Sequence, residues 1–355
     1  MVKDYLIVGQ GLAGSFLSWN LLRRNKSIAI IDQDHENCSS LAAAGMINPI
    51  TGKRLVLSQR CEELLPYAKE VYHELERLFN KKFFESKEIV RLFGSKQELY
   101  EWSRKRQQTH LKKYYGKKQK PGTYADSLND QKGSFIIQQG GYCRKLDLLN
   151  CFTDYFKENN LLVSGKLVYD DLKIKDDLVE WKSNYYRCVV FCEGYQSQDN
   201  PWFSWLPFNH AKGEILTLSN KDSGLPDAVI SCGKWCIPIG DGKYTAGSTY
   251  SWDKFDCKIT EKAKEEILTE IGIFIKASFE VVDHMAGVRP IMKDLNPALG
   301  RHPEFSSLAI FNGLASKGLL WGPFYSNQMA DYLIGIQSLE EKVSIDRFIK
   351  KHFKR

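Results

Sequence analysis

Three glycines near the start of the chain are spaced for binding a dinucleotide. Gly9, Gly11 and Gly14 follow the apolar run 5–8 and open a segment with the pattern of a helix. Gly9 permits a tight turn, Gly11 lets the backbone approach a pyrophosphate, and Gly14 lets the helix pack against the strand. Asp32, at the end of a second apolar run, is placed to accept hydrogen bonds from a ribose. The motif predicts a dinucleotide site without distinguishing NAD from FAD.

The elements that must position this motif are predicted from apolar spacing and turn residues. Strands are predicted over 4–8, 28–32, 82–93, 134–138, 161–175, 178–183, 188–194, 279–288 and 307–312, with several short strands between 212 and 250. Helices are predicted over 14–25, 61–80, 95–110, 146–158, 260–276 and 318–335. The two ends have an α/β pattern, whereas 82–138 and 212–288 have the pattern of antiparallel sheets. This alternation predicts a nucleotide-binding domain assembled from separated segments, with a second domain inserted.

Composition narrows the class of protein. The chain has 355 residues and a formal net charge of +7. It lacks the roughly 18 uninterrupted apolar residues of a membrane helix, and it enters a strand at once where a secretory signal would lie. Its nine cysteines are scattered, and the close pairs have a C-x3-C spacing that is unlike redox or zinc motifs. We therefore expect reduced thiols, no metal and a cytoplasmic protein.

Positive charge is concentrated in residues 104–120, which are rich in Lys and Arg and contain no acid. One interpretation is a solvated helix end and loop. The other is a phosphate-binding arm, because clustered cations release counterions from RNA or DNA. The sequence leaves both interpretations open, so tRNA is a possible partner.

A family resemblance begins at SSLAAAGMINPITGKR (39–54), whose small residues permit close approach of the backbone to a ligand. This stretch is similar to the segment after the second strand in FAD-dependent amine oxidases of the D-amino acid oxidase, glycine oxidase and sarcosine oxidase family. Later segments resemble that family in the same order: QGGYCRKLDLL (139–149), CVVFCEGYQS (188–197), KGEILTL (212–218) with KWCIPIGDGKYTAGSTY (234–250), and AGVRPIMKDLNPALGRHPEFSSLAIFNGLASKGLLWGPFYSNQMADYLIG (286–335). The resemblance covers the chain nearly end to end.

The resemblance implies an α/β plus α+β fold with two domains. A Rossmann-like FAD-binding domain would comprise 1–80, 143–205 and 286–355, and an inserted antiparallel-sheet substrate domain would comprise 81–142 and 206–285. FAD would be held non-covalently, because no Cys or His falls where related enzymes attach it. The implied cofactor-binding residues are Gly9, Gly11, Leu12, Ala13, Gly14, Asp32, Gln33, Ala43, Ala44, Gly45, Met46, Gly194, Gly313, Ser316, Lys317, Gly318 and Leu319.

Arg289, in the apolar context HMAGVRPIM, matches the arginine that grips the substrate carboxylate in glycine oxidase-like members. A guanidinium group donates two parallel hydrogen bonds to a carboxylate, which would direct the α-carbon of the substrate toward the flavin. The resemblance therefore implies that Arg289 is a substrate-binding and catalytic residue. The alternative is a surface or inter-strand arginine.

Lys317 precedes a helix that, in the family, points its N-terminus at the isoalloxazine ring. The helix dipole would favour the anionic reduced ring. The resemblance implies a catalytic role for Lys317, either as an added positive charge or in the reaction with oxygen. The alternative is a solvent-exposed lysine at a helix start.

Four positions depart from the glycine oxidase pattern. Trp235 replaces a substrate-facing tyrosine, and Ile239 replaces an arginine. Leu314 stands where a histidine is common, and Ser316 stands where some members carry a second arginine. We predict that Trp235, Leu314 and Ser316 contact substrate in a pocket that is more apolar and less charged than that of glycine oxidase.

The predicted function is oxidation of the C–N bond of a carboxylate-bearing amine, an amino acid or an N-substituted glycine, by hydride transfer to flavin N5. An alternative within the family is removal of a carboxymethyl group from a wobble uridine of tRNA. An alternative of another class is a non-catalytic flavin-binding scaffold. His210, His284 and His302 are available as acid–base groups, although structural roles are commoner for histidine. The substrate, the electron acceptor and the oligomeric state are left open.

Overall fold

The computed structural model describes residues 2–34, 39–175 and 177–353. The helices are α1 (Leu12–Leu22), α2 (Cys61–Phe79), α3 (Lys96–Lys105), α4 (Lys145–Glu158), α5 (Glu261–Gly272), α6 (Gly318–Leu333) and α7 (Asp346–His352). The strands are β1 (Val2–Val8), β2 (Ile28–Asp32), β3 (Met46–Ile47), β4 (Ile50–Thr51), β5 (Val56–Leu57), β6 (Phe84–Ser86), β7 (Ile89–Leu92), β8 (Tyr115–Gln119), β9 (Ser134–Ile137), β10 (Gly141–Cys143), β11 (Leu162–Ser164), β12 (Lys173–Lys175), β13 (Leu178–Trp181), β14 (Asn184–Phe191), β15 (Ala211–Ser219), β16 (Val229–Cys232), β17 (Lys234–Gly240), β18 (Lys243–Gly247), β19 (Glu280–Arg289), β20 (Ala298–Arg301) and β21 (Leu308–Asn312). Short 3-10 turns occupy Tyr169–Asp171 and Gly194–Asp199.

The first large sheet has the strand order β11-β2-β1-β14-β13-β12, with β21 on β14 and β20 on β21. β1 is parallel to both β2 and β14, so the sheet is parallel at its centre. Alternate residues of β1 face opposite cores: Tyr5 and Ile7 pack with α1, α2, α4 and α6, whereas Leu6 and Val8 pack with β13 and the aromatic residues that follow β14. Burial on both faces explains why these strands are continuous apolar runs.

The second large sheet has the order β19-β15-β18-β17-β16-β7-β9-β8 and is antiparallel except where β16 runs parallel to β7. Helix α5 covers one face through Ile267 and Ile271, which pack with Leu216 and Ala246. The other face contributes Ile89 and residues of β9 and β17 to the core shared with the first sheet. The mixed α/β fold with two large sheets confirms the predicted fold class.

Three predicted helices end three or more residues earlier than expected. The structure ends α1 at Leu22, α3 at Lys105 and α5 at Gly272, where the sequence predicts ends at 25, 110 and 276. After α1 the chain reverses at Asn25, whose φ of 55° is left-handed and cannot continue a right-handed helix. The sequence analysis also misses the short strands β3, β4, β5 and β10, the edge strand β8, and β20 and α7.

Two segments predicted as single strands are each divided between different partners. In 82–93, β6 pairs with β10 whereas β7 pairs with β9, so the chain passes from one sheet to another. In 161–175, β11 pairs with β2 whereas β12 pairs with β13. The pairing, which depends on distant residues, divides these segments.

The basic segment 104–120 is not only a helix end and loop, because its residues 115–119 form β8 at the edge of the second sheet. Part of its charge has a partner: Arg104 lies 2.9 Å from Glu101, and the guanidinium of Arg106 lies 4.6 Å from the ring centroid of Trp102. Lysines on an edge strand also discourage pairing with the sheet of another molecule.

The remaining expectations concern thiols, metals and membranes. Eight cysteines are free among the described residues, and Cys38 lies outside them. Within the same ranges, no cluster of His, Cys, Asp and Glu side chains is arranged to hold a metal ion. The helices of this part of the chain are too short or too polar to cross a membrane.

Candidate functional site

A cavity of about 340 Å³ lies between the two large sheets. It is bounded by the carboxyl ends of β1, β2, β14 and β21 on one side and by β15, β17 and β19 on the other. The carboxyl edge of a parallel sheet is where doubly wound folds bind ligands. The predicted site residues that line the cavity are Gly9, Gly11, Leu12, Ala13, Asp32, Gln33, Ala43, Ala44, Gly45, Met46, Gly194, Trp235, Arg289, Leu314, Ser316, Lys317, Gly318 and Leu319.

Gly14 and Gly313 are the two predicted residues that do not line this cavity. A Cβ on Gly14 would lie 1.9 Å from the carbonyl oxygen of Gly9, so Gly14 permits the close packing of α1 on the β1 turn. A Cβ on Gly313 would lie 2.9 Å from Met292 Cγ, and its φ of 77° places it in the turn between β21 and α6. Both glycines shape the backbone behind the cavity wall.

The glycine turn and the acid of β2 are joined by a direct hydrogen bond. The backbone N–H of Gln10 donates to Asp32 Oδ1 at 2.7 Å. Gly9 has a φ of 97°, and a Cβ there would lie 2.6 Å from the carbonyl oxygen of Cys192. The turn is therefore held tightly between β2 and β14, with a carboxylate at the cavity edge.

Two helices begin at the cavity. α1 starts after Gly11 and α6 after Lys317, and neither has an acidic residue in its first turn. The N-terminus of a helix carries unpaired N–H groups and a partial positive charge, so both ends favour a negatively charged ligand. The N–H of Leu12 donates to Ser40 Oγ at 3.2 Å, which ties the segment after β2 to the start of α1.

Arg289 lies at the end of β19 and lines the cavity with a half-buried side chain. Nη2 donates to Ser248 Oγ at 2.9 Å, and the guanidinium carbon lies 4.2 Å from the ring centroid of Tyr250. Burial lowers the pKa of Arg289, and no carboxylate in the described ranges forms a salt bridge with it. The group is therefore a cation available to an anionic ligand.

The turn after β18, whose Ser248 and Thr249 accept hydrogen bonds from Arg289, is held in place by further contacts. Lys234 Nζ donates to the carbonyl oxygen of Ser248 at 2.8 Å and forms a salt bridge with Glu266 at 2.7 Å. The N–H of Glu214 donates to Thr249 Oγ1 at 3.0 Å. These contacts fix the turn after β18 and so fix the groups around the guanidinium.

The predicted substrate-contacting residues differ in exposure. Leu314 is buried, Trp235 is half-buried and Ser316 is exposed, and all three line the cavity. Ile239 does not line it. Lys317 lines the cavity, its Nζ lies 4.6 Å from the ring centroid of Trp321, and burial lowers its pKa.

Several lining residues were not predicted: Lys166, Glu193, Ser248, Tyr250 and Gly287. Glu193 follows the carboxyl end of β14 and accepts hydrogen bonds from Tyr169 Oη at 2.8 Å and Asn200 Nδ2 at 2.9 Å. Burial raises its pKa to about 7. Its place after a buried strand was a signal for this site, whereas nothing local in the sequence distinguishes Tyr250.

The three histidines do not line the cavity. His302 Nδ1 accepts hydrogen bonds from the N–H groups of Glu304 and Phe305 at 3.2 Å, which is a turn-stabilising role. His284 Nε2 lies 2.9 Å from Glu214 Oε2. His210 is buried, and its ring stacks on Phe208 at 5.0 Å between centroids.

Burial lowers the pKa of His210 to about 4, because a charged imidazole inside the protein would lose its hydration. His210 is protonated near pH 6.5 in the unfolded chain but only near pH 4 in the folded protein. The free energy of unfolding therefore falls as the pH falls through this window. Between pH 7.5 and pH 5, the free energy of unfolding should fall by about 2 kcal/mol less in His210→Phe than in the native protein. Urea denaturation at both pH values measures this, and equal losses in variant and native protein would contradict it.

The donor set fits a dinucleotide such as FAD. The tight turn, two helix N-termini and a carboxylate on β2 match a pyrophosphate and a ribose. A Cβ on Gly165 or Gly194 would meet no atom within 4 Å, so these cavity-lining turns face open space. Arg289 and Trp235 lie on the opposite wall, where a second ligand could meet the dinucleotide.

Comparisons with known proteins also indicate an FAD-dependent oxidoreductase. The model of the family DAO, described as FAD dependent oxidoreductase, matches residues 4–332. Glycine oxidase of Pseudomonas aeruginosa is 30% identical over 132 residues, a segment covering 37% of this chain and 36% of that enzyme. The crystal structure of glycine oxidase from Bacillus cereus superposes with a TM-score of 0.81 at 20% identity, covering 95% of this chain and 96% of that one.

A relative named for a different activity matches about a third of this chain. The tRNA 5-methylaminomethyl-2-thiouridine biosynthesis bifunctional protein MnmC of Marinobacter nauticus is 25% identical over 132 residues. The match covers 34% of this chain and 21% of that protein.

Proposed function

Because the chain belongs to the DAO family of FAD-dependent oxidoreductases, we propose that it oxidises the C–N bond of an amine that bears a carboxylate. The observation that carries this proposal is Arg289, a cation in the same cavity as the dinucleotide motif and without a carboxylate partner among the described residues. FAD, when bound, accepts the hydrogen that leaves the carbon next to the nitrogen. We propose that it is bound non-covalently.

The residues of this chain would bind and orient the substrate. Arg289 would hold the carboxylate, while Trp235 and Leu314 would exclude water from the reacting carbon. The N-terminus of α6 would favour negative charge at the adjoining end of the cavity. Beside Arg289 the cavity wall is apolar at Trp235 and Leu314, which fits an amino acid or an N-substituted glycine with an uncharged remainder.

We also propose the predicted division into domains. The strands of the first large sheet lie within 1–80, 143–205 and 286–355. Those of the second lie within 81–142 and 206–285, except that β19 continues to Arg289. On this division Arg289 belongs to the strand that leads from the substrate domain back into the FAD domain.

The test is anaerobic reduction of the bound flavin, which is measured as the loss of the absorption band of the oxidised flavin. The panel pairs each amine with its analogue that lacks the carboxylate: glycine with methylamine, and sarcosine with dimethylamine, beside D- and L-amino acids and proline. We expect reduction by carboxylate-bearing members only. Equal reduction by the analogues would remove the role of the carboxylate. No reduction by any of these amines or by the modified tRNA would favour the flavin-binding scaffold.

Lys317 is expected to act on the reaction more than on binding. Lys317→Met should lower kcat about 10-fold, or about 1.4 kcal/mol, because its charge at the start of α6 stabilises negative charge that develops during the reaction. KM should change little. A lower flavin reduction potential should accompany the loss, and an unchanged potential with unchanged kcat would show that Lys317 is only a helix-start residue.

A second candidate function is oxidation of a modified uridine in tRNA. The hairpin β4–β5 lines the cavity at Thr51 and carries the exposed Lys53 and Arg54. Lys105 Nζ of the basic segment donates to the carbonyl oxygens of Arg54 and Leu55 in that hairpin. Exposed cations therefore extend from the basic segment to the cavity, which fits a polyanionic substrate whose reactive group enters the site.

This candidate requires salt-dependent binding of tRNA. Binding should weaken as salt rises, because each phosphate contact releases counterions. The double variant Lys112→Glu/Lys117→Glu should reduce both the affinity and the slope of its salt dependence. Oxidation of glycine or sarcosine without any tRNA complex would leave the basic segment as a solvated edge.

A further inference from the structure

Gly213 lies directly beneath the guanidinium group of Arg289. β15 and β19 are antiparallel, with Ala211 opposite Arg289 and Gly213 opposite Gly287. Residues two apart on a strand share a face, so Gly213 is the diagonal neighbour of Arg289 on the cavity side. A Cβ on Gly213 would lie 2.1 Å from Arg289 Nη2, 2.2 Å from Nη1 and 2.3 Å from Cζ.

We propose that Gly213 is a positioning residue that sets where the substrate carboxylate binds. The absence of a side chain lets the Arg289 guanidinium lie across β15, where any larger residue would displace it. This inference rests on the proposed function, in which Arg289 binds the carboxylate.

The guanidinium of Arg289 lies between Gly213 and the ring of Tyr250, and its remaining contacts are hydrogen bonds. Gly213 lies below it, and the ring of Tyr250 covers it at 4.2 Å from the guanidinium carbon. Nη2 donates to Ser248 Oγ at 2.9 Å and Nη1 to the carbonyl oxygen of Thr249 at 3.4 Å. Two of the five N–H donors are thus used within the described structure, and the others are available to a carboxylate.

The backbone does not itself require glycine at this position. Gly213 has no left-handed φ, and it pairs with β19 as an ordinary strand residue. Glycine weakens a strand interior, and it commonly marks a place where another group approaches closely. Here the three nearest atoms all belong to the end of the Arg289 side chain, so alanine would move the guanidinium and leave the fold in place.

The experiment measures acetate binding to the FAD-loaded protein by the change in flavin absorption. It compares the native protein with Gly213→Ala, Arg289→Ala and the double variant. We expect Gly213→Ala to weaken acetate binding roughly 10- to 100-fold, the range for losing a hydrogen bond to a charged group. The double variant should equal Arg289→Ala alone, because Gly213 acts only through that side chain.

Steady-state kinetics with a carboxylate-bearing amine supply the second readout. Gly213→Ala should raise KM more than it lowers kcat, and FAD content and the thermal midpoint should stay unchanged. Three results would overturn the inference: native acetate affinity in Gly213→Ala, additive losses in the double variant, or loss of FAD. Each would leave Arg289 as the carboxylate-binding group. Native affinity in Arg289→Ala would overturn the proposed function and this inference with it.

Discussion

Arg289→Ala is expected to lower kcat/KM for carboxylate-bearing amines by roughly 30- to 5,000-fold, or about 2 to 5 kcal/mol. The loss follows because the substrate carboxylate would enter a partly desolvated cavity without its cation. The side chain lies between Tyr250 and Gly213, on the wall opposite the glycine turn, so FAD should remain bound. Steady-state kinetics and the flavin-to-protein ratio measure both effects.

The matched control is Arg289→Lys, which keeps the charge but loses the planar pair of donors. Its kcat/KM should lie between those of the native protein and Arg289→Ala. Any activity toward methylamine should be the same in all three proteins. Native kinetics in Arg289→Ala would contradict the assignment.

Gly14→Ala should abolish FAD binding and destabilise the protein by about 1 to 3 kcal/mol, the usual cost of overpacking. The added Cβ would lie 1.9 Å from the carbonyl oxygen of Gly9, so α1 must move away from the turn that it packs against. Since that turn lines the cavity, the movement would displace the backbone that faces the pyrophosphate.

Gly272→Ala is the control for this variant. Gly272 is the last residue of α5, and a Cβ there would meet no atom within 4 Å. It should retain FAD and its stability in urea denaturation, whereas Gly14→Ala should be isolated without flavin. A flavin-loaded Gly14→Ala protein would show that close packing of α1 is not needed for the cofactor.

The part of the site that sequence predicts well is local. The turn between β1 and α1 and the acid on β2 follow from glycine spacing and apolar runs within residues 4–33. The structure brings Gly9, Gly11 and Asp32 to one cavity. Each of these residues acts through its own backbone conformation or its place at a strand end.

The surroundings of Arg289 could not be predicted in the same way. Tyr250 and Ser248 reach the guanidinium from a turn some 40 positions earlier in the chain, and the register between β15 and β19 places Gly213 beneath it. β8 was missed for a related reason. Its lysines give no alternation of apolar residues, and pairing with β9 is what makes it a strand.

The lining of the cavity extends along the chain from Val8 to Leu320. During synthesis on a ribosome, the glycine turn emerges before the wall formed by Leu314–Leu320, which lies hundreds of residues further along the chain. The apolar faces of α1 and α2 that pack on α6 stay exposed until α6 has been synthesised. We expect nascent chains to need protection from aggregation over this period, and stable capture of FAD to occur only after the last wall has left the ribosome.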